Sequence, residues 1–529
     1  MNAFDWSIII VYLMGMIGLS VYLGRGQSSQ DDYYVGGRNL PWWAVGISTM
    51  ATQTSAISFI SIPAFVALKP GGGLTWLQYE LAVPLALIVV MVFLIPFFRK
   101  LELVSVYEYL ELRYCPSVRY LMSGVFLVSR ALATGVGVYA SAIVLSVCLG
   151  TPLWLTIMII GVVTIIYDTI GGMAAVVYSD VIQMVVLMGG LALCIVYATG
   201  SVGGFHTIIT SFPAERWNTL DLSTGLGDGS ATPFWGFLIG GLFLYISYYG
   251  TDQSQVQREL SAPSLEDTKR SLLFNGLARF PLTVCYILLG LTVGTVYMQS
   301  PELRATIPSE HLDYLIPRFI LQHLPSGVRA FLFAAILASA MSSLDSALNS
   351  LSAATMRDFI EQGRSLQEKW ILLLSKFTTV LWGIIITGLA FLVGSISETV
   401  IEGINKIGSA FYGPILASFL VGVLSKRANA AGIFSGVLAG VAFNLFLWLA
   451  LPGVFWMWWN LFGLVVSVVI TFIVSNMTAL PSAEQIKDYT LTGSGMFKQE
   501  RSWLPVYALL VAYFVVILCF MILVQRLAG

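Results

Sequence analysis

Residues 338–350 read ASAMSSLDSALNS, and this stretch decides how the rest of the chain is understood. At about 100° per residue on an α-helix, Ser339, Ser342, Ser343, Ser346 and Ser350 recur at spacings of three, four and seven, so their hydroxyls share one face. Asp345 and Asn349 flank that face. The run FLFAAILA (331–338) leads directly into it and is apolar enough for a bilayer. A carboxylate at the centre of a membrane helix costs roughly 2.5–3.5 kcal/mol unless something compensates it. A bound hard cation would do so, because hydroxyl, carboxylate and carbonyl oxygens are its preferred ligands. The alternative is a small-residue helix interface whose hydroxyls bond back to carbonyls one turn earlier.

The composition places that helix in a membrane. Of 529 residues, 57% are hydrophobic and only 10% charged, against roughly 25% charged in soluble domains. The formal net charge of −1 and only three histidines give neither the field that binds nucleic acid nor a zinc-like spacing. The five cysteines (Cys115, Cys148, Cys194, Cys285, Cys519) are scattered and odd in number, and read as buried thiols. The N-terminus MNAFDW has no basic n-region, so the run from Ser7 to Leu23 reads as a retained first span.

Apolar runs long enough to cross a bilayer predict roughly fourteen spans: 5–24, 41–68, 75–98, 119–149, 152–172, 174–200, 232–257, 271–300, 328–360, 369–394, 398–425, 431–452, 455–478 and 503–527. Alternate loops hold the basic residues: Arg25 and Arg38; Arg99, Lys100 and Arg113; Arg258, Lys269 and Arg270; Arg357 and Arg364; Lys426 and Arg427; Lys487, Lys498 and Arg501. Outside Lys69 and the long loops around Arg216 and Arg304–Arg318, the opposite loops lack them, which predicts that both termini face outward.

Two predicted spans are interrupted. The second carries STMATQTSAIS (48–58), closed by Pro63, and the seventh carries ISYYGTDQSQ (246–255) with Gly250 and Asp252. They lie five spans apart, the spacing of two five-helix inverted repeats that hold a solute site between them. The expected division is 1–40 as an extra N-terminal helix and loop, 41–425 as a ten-helix core with repeats at about 41–200 and 232–425, and 426–529 as three peripheral helices. Charges inside spans are few: Glu80, Arg130, Asp168, Asp180, Asp252, Arg279, Asp345, Glu402 and Lys406. Asp168 is expected at a helix end, reaching water. Asp180 is either an ion ligand or a structural acceptor, and Arg130 and Arg279 either partner acids or face the solute.

Several segments together resemble the sodium:solute symporter family along nearly the whole chain: GGRNLPWWAVGIS (36–48), ATQTSAISFISIP (51–63), FFRKLELVSVYEYLELRY (97–114), YDTIGGMAAVVYSDVIQ (167–183), SSLDSALNS (342–350) and YGPILASFLVGVLSKRANAAG (412–432). Residues 51–114 are most similar to the branches carrying sialic acid, monocarboxylates, vitamins and iodide, and the C-terminal spans to the sugar branch. The resemblance implies an all-α, LeuT-like five-plus-five core and alternating access driven by one or two sodium ions.

It also implies residue roles. The principal sodium site would use the carbonyls of Ala51 and Thr54 with Ser339, Ser342 and Ser343; a second would use Asp180, Ser342, Asp345 and Ser346. Asp345 departs from the serine or threonine usual there, so two nearby carboxylates would hold sodium tightly or keep a proton between them. Gln53, Ser55 and Ser58 match solute-contacting positions, with Gln78, Glu80, Arg130 and Tyr248 around them. Ala133 stands where the sialic acid branch has its carboxylate-pairing arginine, with Arg130 three residues earlier.

The expected function is therefore import of a small organic solute, with the hydroxyls of Ser55 and Ser58 favouring an organic anion such as sialic acid or another carboxylate. The remaining readings are a sodium/sugar or polyol symporter, a proton-coupled carrier and a passive channel. No nucleophile, base and orienter set suggests an enzyme. The expected setting is a cell membrane, taken as a bacterial inner membrane, with the monomer as the working unit.

Overall fold

The computed structural model describes residues 2–528 except 223–224, 228–232, 310, 365–366, 393–399 and 492–495. The expected start of the second repeat at 232, the junction of the spans at 369–394 and 398–425, and the side chain of Glu402 lie outside what is described. Helices dominate throughout. In chain order the main ones are α1 (Ala3–Gly24), α2 (Gln30–Val35), α3 (Trp42–Gln53), α4 (Ala56–Ala67), α5 (Val83–Phe93), α6 (Pro116–Leu149), α7 (Leu153–Ser201), α8 (Gly241–Thr251), α9 (Gln253–Glu259), α10 (Leu265–Gln299), α11 (Val328–Thr355), α12 (Glu368–Leu392), α13 (Val400–Leu424), α14 (Ala430–Ala450), α15 (Trp458–Met477) and α16 (Leu504–Ala528).

Among the described residues, eleven helices are long and apolar enough to cross a membrane, or twelve with the bent pair α3–α4. The count of fourteen is not reproduced, and two places account for it. The runs at 152–172 and 174–200 form the single 49-residue α7, whose one non-helical residue is Gly172, at φ 55° and ψ −156°. A straight helix of that length would reach about 70 Å, more than twice the hydrocarbon thickness, so Gly172 is where the chain turns back. The run at 232–257 is divided into a π-helical turn (Gly236–Gly240), α8 and α9.

α11 is the hub. In the span that contains it, 89% of the most apolar window is buried, against 17% for α1 and 22% for the last span. The serine face therefore looks onto other helices, and α1, α14, α15 and α16 ring the outside. The cysteines divide accordingly: Cys148 and Cys194 are buried, Cys115 and Cys285 half-buried, and Cys519 exposed.

The break between α3 and α4 is built by side chains that compete with the helix. Thr52 Oγ1 donates to the Ser48 carbonyl at 3.0 Å and Thr54 Oγ1 to the Met50 carbonyl at 2.8 Å. Thr54 (φ −94°, ψ 70°) and Ser55 (φ −75°, ψ 165°) then leave helical geometry, and α4 departs at 55°. Pro63 does not close this segment, because α4 runs through it to Ala67. The second break is at Asp252, extended at φ −79° and ψ 121°, whose carboxylate caps α9 by accepting from Ser254 N at 2.9 Å.

Candidate functional site

The two breaks and α11 enclose one cavity of about 170 Å³, lined among others by Gln53, Ser55, Ser58, Glu80, Arg130, Ala133, Tyr248, Arg279 and Ser343. Every residue expected to contact solute lies on it except Gln78. That side chain is fully buried, donating to the Thr75 carbonyl at 3.1 Å and accepting from Asp221 N at 3.1 Å. The reason is local: residues Leu74–Glu80 form a 3₁₀ helix, whose three-residue turn aims Gln78 elsewhere than an α-helical reading would.

The cavity holds two guanidiniums, both already paired. Arg279 donates through Nη2 to Glu80 Oε1 and through Nε to Glu80 Oε2 at 3.3 Å, while Tyr245 donates to the same carboxylate at 3.2 Å. Its remaining nitrogen, Nη1, donates to Thr54 Oγ1 at 3.2 Å, so this pair braces the break itself. Arg130 pairs with Asp252 and lies 5.7 Å from the centre of the Tyr248 ring. Tyr248 meets Tyr412 edge-on at 6.0 Å between ring centres. Gln53 accepts from the Tyr249 hydroxyl at 2.9 Å.

Beside the cavity, α11 meets the α3–α4 break. Ser339 Oγ donates to the Thr54 carbonyl at 2.6 Å, and Ser343 Oγ donates to the Ser339 carbonyl at 3.3 Å. The Ala51 carbonyl, which accepts Thr54 N at 2.9 Å, belongs to the same break. Ser342, the third serine expected at the principal site, turns its proton toward α7 and keeps its lone pairs. Its hydroxyl donates to Asp180 Oδ1, because Asp180 on α7 offers a buried carboxylate on that side of α11.

The four residues expected at a second site lie together. Asp180, fully buried, accepts from Ser342 and from Ser48, the latter at 2.5 Å; Asp345, equally buried, accepts from Tyr167 at 2.5 Å and has the Ser346 hydroxyl 3.3 Å away. Asp168 joins them and overturns the expectation of a carboxylate reaching water. It is fully buried because α7 continues past it and α2 packs against the turn at Gly172. Neither of its oxygens accepts a hydrogen bond among the described residues, the Asn349 amide being the donor that faces it. Arg258, assigned to a loop by its position after a span, is instead 1% exposed and within 3.7 Å of Asp180. The signal that could have found it is TDQSQVQRE (251–259), in which every residue of α9 is polar or charged except Val256, yet all of them are buried.

Residues 33–440 match the sequence profile of the Sodium:solute symporter family. The chain belongs to the sodium:solute symporter family. It is 29% identical over 458 residues to the human sodium/iodide cotransporter, covering 85% of this chain and 70% of that one. To the sodium/sialic acid symporter of Proteus mirabilis it is 30% identical over 453 residues, with 83% and 88% covered. The solved structure of a Na⁺-coupled sialic acid symporter, substrate-bound and outward-open with a novel Na⁺ site, superposes with a TM-score of 0.81 at 27% identity, covering 91% of this chain and 99% of that one. A nucleobase-cation-symport-1 family transporter shares the fold, with a TM-score of 0.51 at 11% identity over 87% of this chain and 98% of that one. The symporter is thus an all-α, multi-pass membrane protein with a LeuT-like core. It couples sodium to movement of a small organic solute and is not an enzyme.

Proposed function

We propose that this symporter imports a small organic anion with two sodium ions. The observation that carries the reading is the pair of guanidiniums, Arg130 and Arg279, facing one cavity at the break where Ser55 and Ser58 offer hydroxyls. Three kinds of relative support it, being named for iodide, for sialic acid and, at 30% identity in Xenopus laevis, for monocarboxylates. Arg130 is the group that receives the anion, exchanging Asp252 for the solute, since Arg279 is committed to Glu80 and Thr54.

The ion count follows from charge. A tenfold sodium gradient supplies about 1.4 kcal/mol, and each net charge crossing 100 mV about 2.3 kcal/mol. One sodium with a monovalent anion moves no net charge and accumulates it roughly tenfold; two supply about 5 kcal/mol, or some thousandfold. The first ion sits between the carbonyls of Ala51 and Thr54 and the hydroxyls of Ser339, Ser342 and Ser343. The second belongs to Asp180, Ser342, Asp345 and Ser346, where the added carboxylate favours a cation or holds a proton.

We place the transporting core at 41–425, which the family match at 33–440 supports, with 1–40 and 426–529 peripheral. The setting is a bacterial inner membrane, both termini outside, the monomer working alone. A second reading, a neutral sugar or polyol, is favoured by both guanidiniums being already neutralised. Thermal stabilisation of purified protein separates the two. Sialic acid or short monocarboxylates should raise the melting temperature only in sodium, and a response to sugars or polyols alone would reverse the assignment.

A further inference from the structure

Arg258 occupies the middle of the acidic cluster beneath the cavity, and it reaches there from the short helix that follows the second break. Its Nε donates to Ser48 Oγ on α3 at 2.9 Å, Nη2 donates to Ser346 Oγ on α11, and Nη1 donates to the Ser254 carbonyl within α9. Asp180 Oδ2 on α7 is 3.7 Å from Nε. One side chain thus joins α9 to α3, α7 and α11.

Those partners overlap the oxygens assigned above to the second ion. Ser346 makes the conflict explicit. A serine hydroxyl has one proton and two lone pairs. Ser346 gives its proton to the Ser342 carbonyl at 2.6 Å and one lone pair to Arg258, while Thr52 Oγ1, whose own proton goes to the Ser48 carbonyl, lies 3.2 Å away. A sodium ion there would share that oxygen with the guanidinium, and a cation beside a guanidinium in a buried site meets strong repulsion. Asp180 faces this arginine directly and Asp345 lies beside Ser346, so carboxylate oxygens remain for a second cation once the guanidinium withdraws.

We propose that the Arg258 guanidinium and the second sodium ion are alternative occupants of one oxygen cage, so that binding of the ion expels Arg258 and loosens α9 from α3 and α11, leaving the Glu259–Thr49 and Gln257–Asn349 ties between them. Arg258 is then a positioning residue that converts ion occupancy into movement of the second broken span, and its return to Ser346 and Asp180 drives the ion out. The inference rests on the two-ion reading above.

A purely structural counter-ion predicts the opposite sign, since removing it would loosen the cage. The test is sodium titration of full-length purified protein without solute, followed by thermal shift and by equilibrium binding of radioactive sodium, for the wild type, Arg258→Gln and Arg258→Lys. Competition predicts that Arg258→Gln binds the second ion at least about tenfold more tightly while the first is unchanged. Arg258→Lys, which keeps the charge but loses the fork, should fall between and serves alone should Arg258→Gln not fold. Two ions in the wild type with unchanged or weaker second binding in the variants overturns this inference alone. A single ion in the wild type and in the variants overturns the two-ion reading as well. A single ion in the wild type and two in Arg258→Gln supports the competition in its strongest form.

Discussion

Ser339 on α11 donates its hydroxyl to the Thr54 carbonyl at 2.6 Å, joining the serine run to the non-helical break of span two. The ion proposed there would touch both elements, and its occupancy would bias the conformation wherever those contacts differ between states. Ser343→Ala is expected to abolish sodium-driven uptake into vesicles, and Ser339→Ala to raise the sodium concentration for half-maximal uptake about tenfold or more. Uptake with unchanged sodium dependence in Ser343→Ala would remove the principal site.

The Glu80–Arg279 pair is buried and also carries Thr54. Removing one partner strands the other charge, a loss of about 3–5 kcal/mol in comparable buried pairs. Glu80→Gln should therefore melt well below the wild type, and Glu80→Leu combined with Arg279→Met should recover much of the loss. A double-mutant cycle on thermal unfolding gives the coupling; additive effects would mean that the pair is not maintained.

In the proposed reading Arg130 exchanges Asp252 for the solute carboxylate, and Ala133, on the same cavity wall, carries no charge. Arg130→Gln should raise the KM for an anionic solute by about tenfold or more while leaving sodium-induced stabilisation intact. Ala133→Arg should enlarge the response to sialic acid specifically. Equal anion KM in Arg130→Gln and wild type would take Arg130 out of the solute site.

Gly172 is the hinge of the longest helix, in a backbone region essentially restricted to glycine. A Cβ added there would also sit 2.6 Å from the Tyr33 carbonyl oxygen. Gly172→Ala is expected to lower the melting temperature markedly, strain alone being worth about 1–3 kcal/mol. A melting curve superimposable on the wild type would show that α7 tolerates a side chain at its turn.

Much of this was legible in the sequence because the informative residues break local rules. Hydroxyls and amides in STMATQTSAIS and ISYYGTDQSQ sit where lipid-facing helices carry none, and both segments are interrupted in the structure. The periodic serines of 339–350 place their face without ambiguity once the helix is known to be central. Arg258 and Asp168 were misplaced for the converse reason. Distance from the middle of an apolar run is a poor guide to water when another segment covers the end of the span, and nothing local shows that α2 does so. Gln78 was misplaced by assuming an α-helical turn where a tighter one exists.

That covering segment has a consequence for how small this transporter can be made. Tyr33 and Tyr34 are wholly buried; their hydroxyls meet Thr379 at 3.0 Å and Ser352 at 2.7 Å, and the Tyr34 carbonyl accepts Gln257 at 2.7 Å. A version trimmed to residues 41–425 would keep every residue proposed to hold an ion yet lose these three bonds, and is expected to hold α9, α11 and α12 together less firmly.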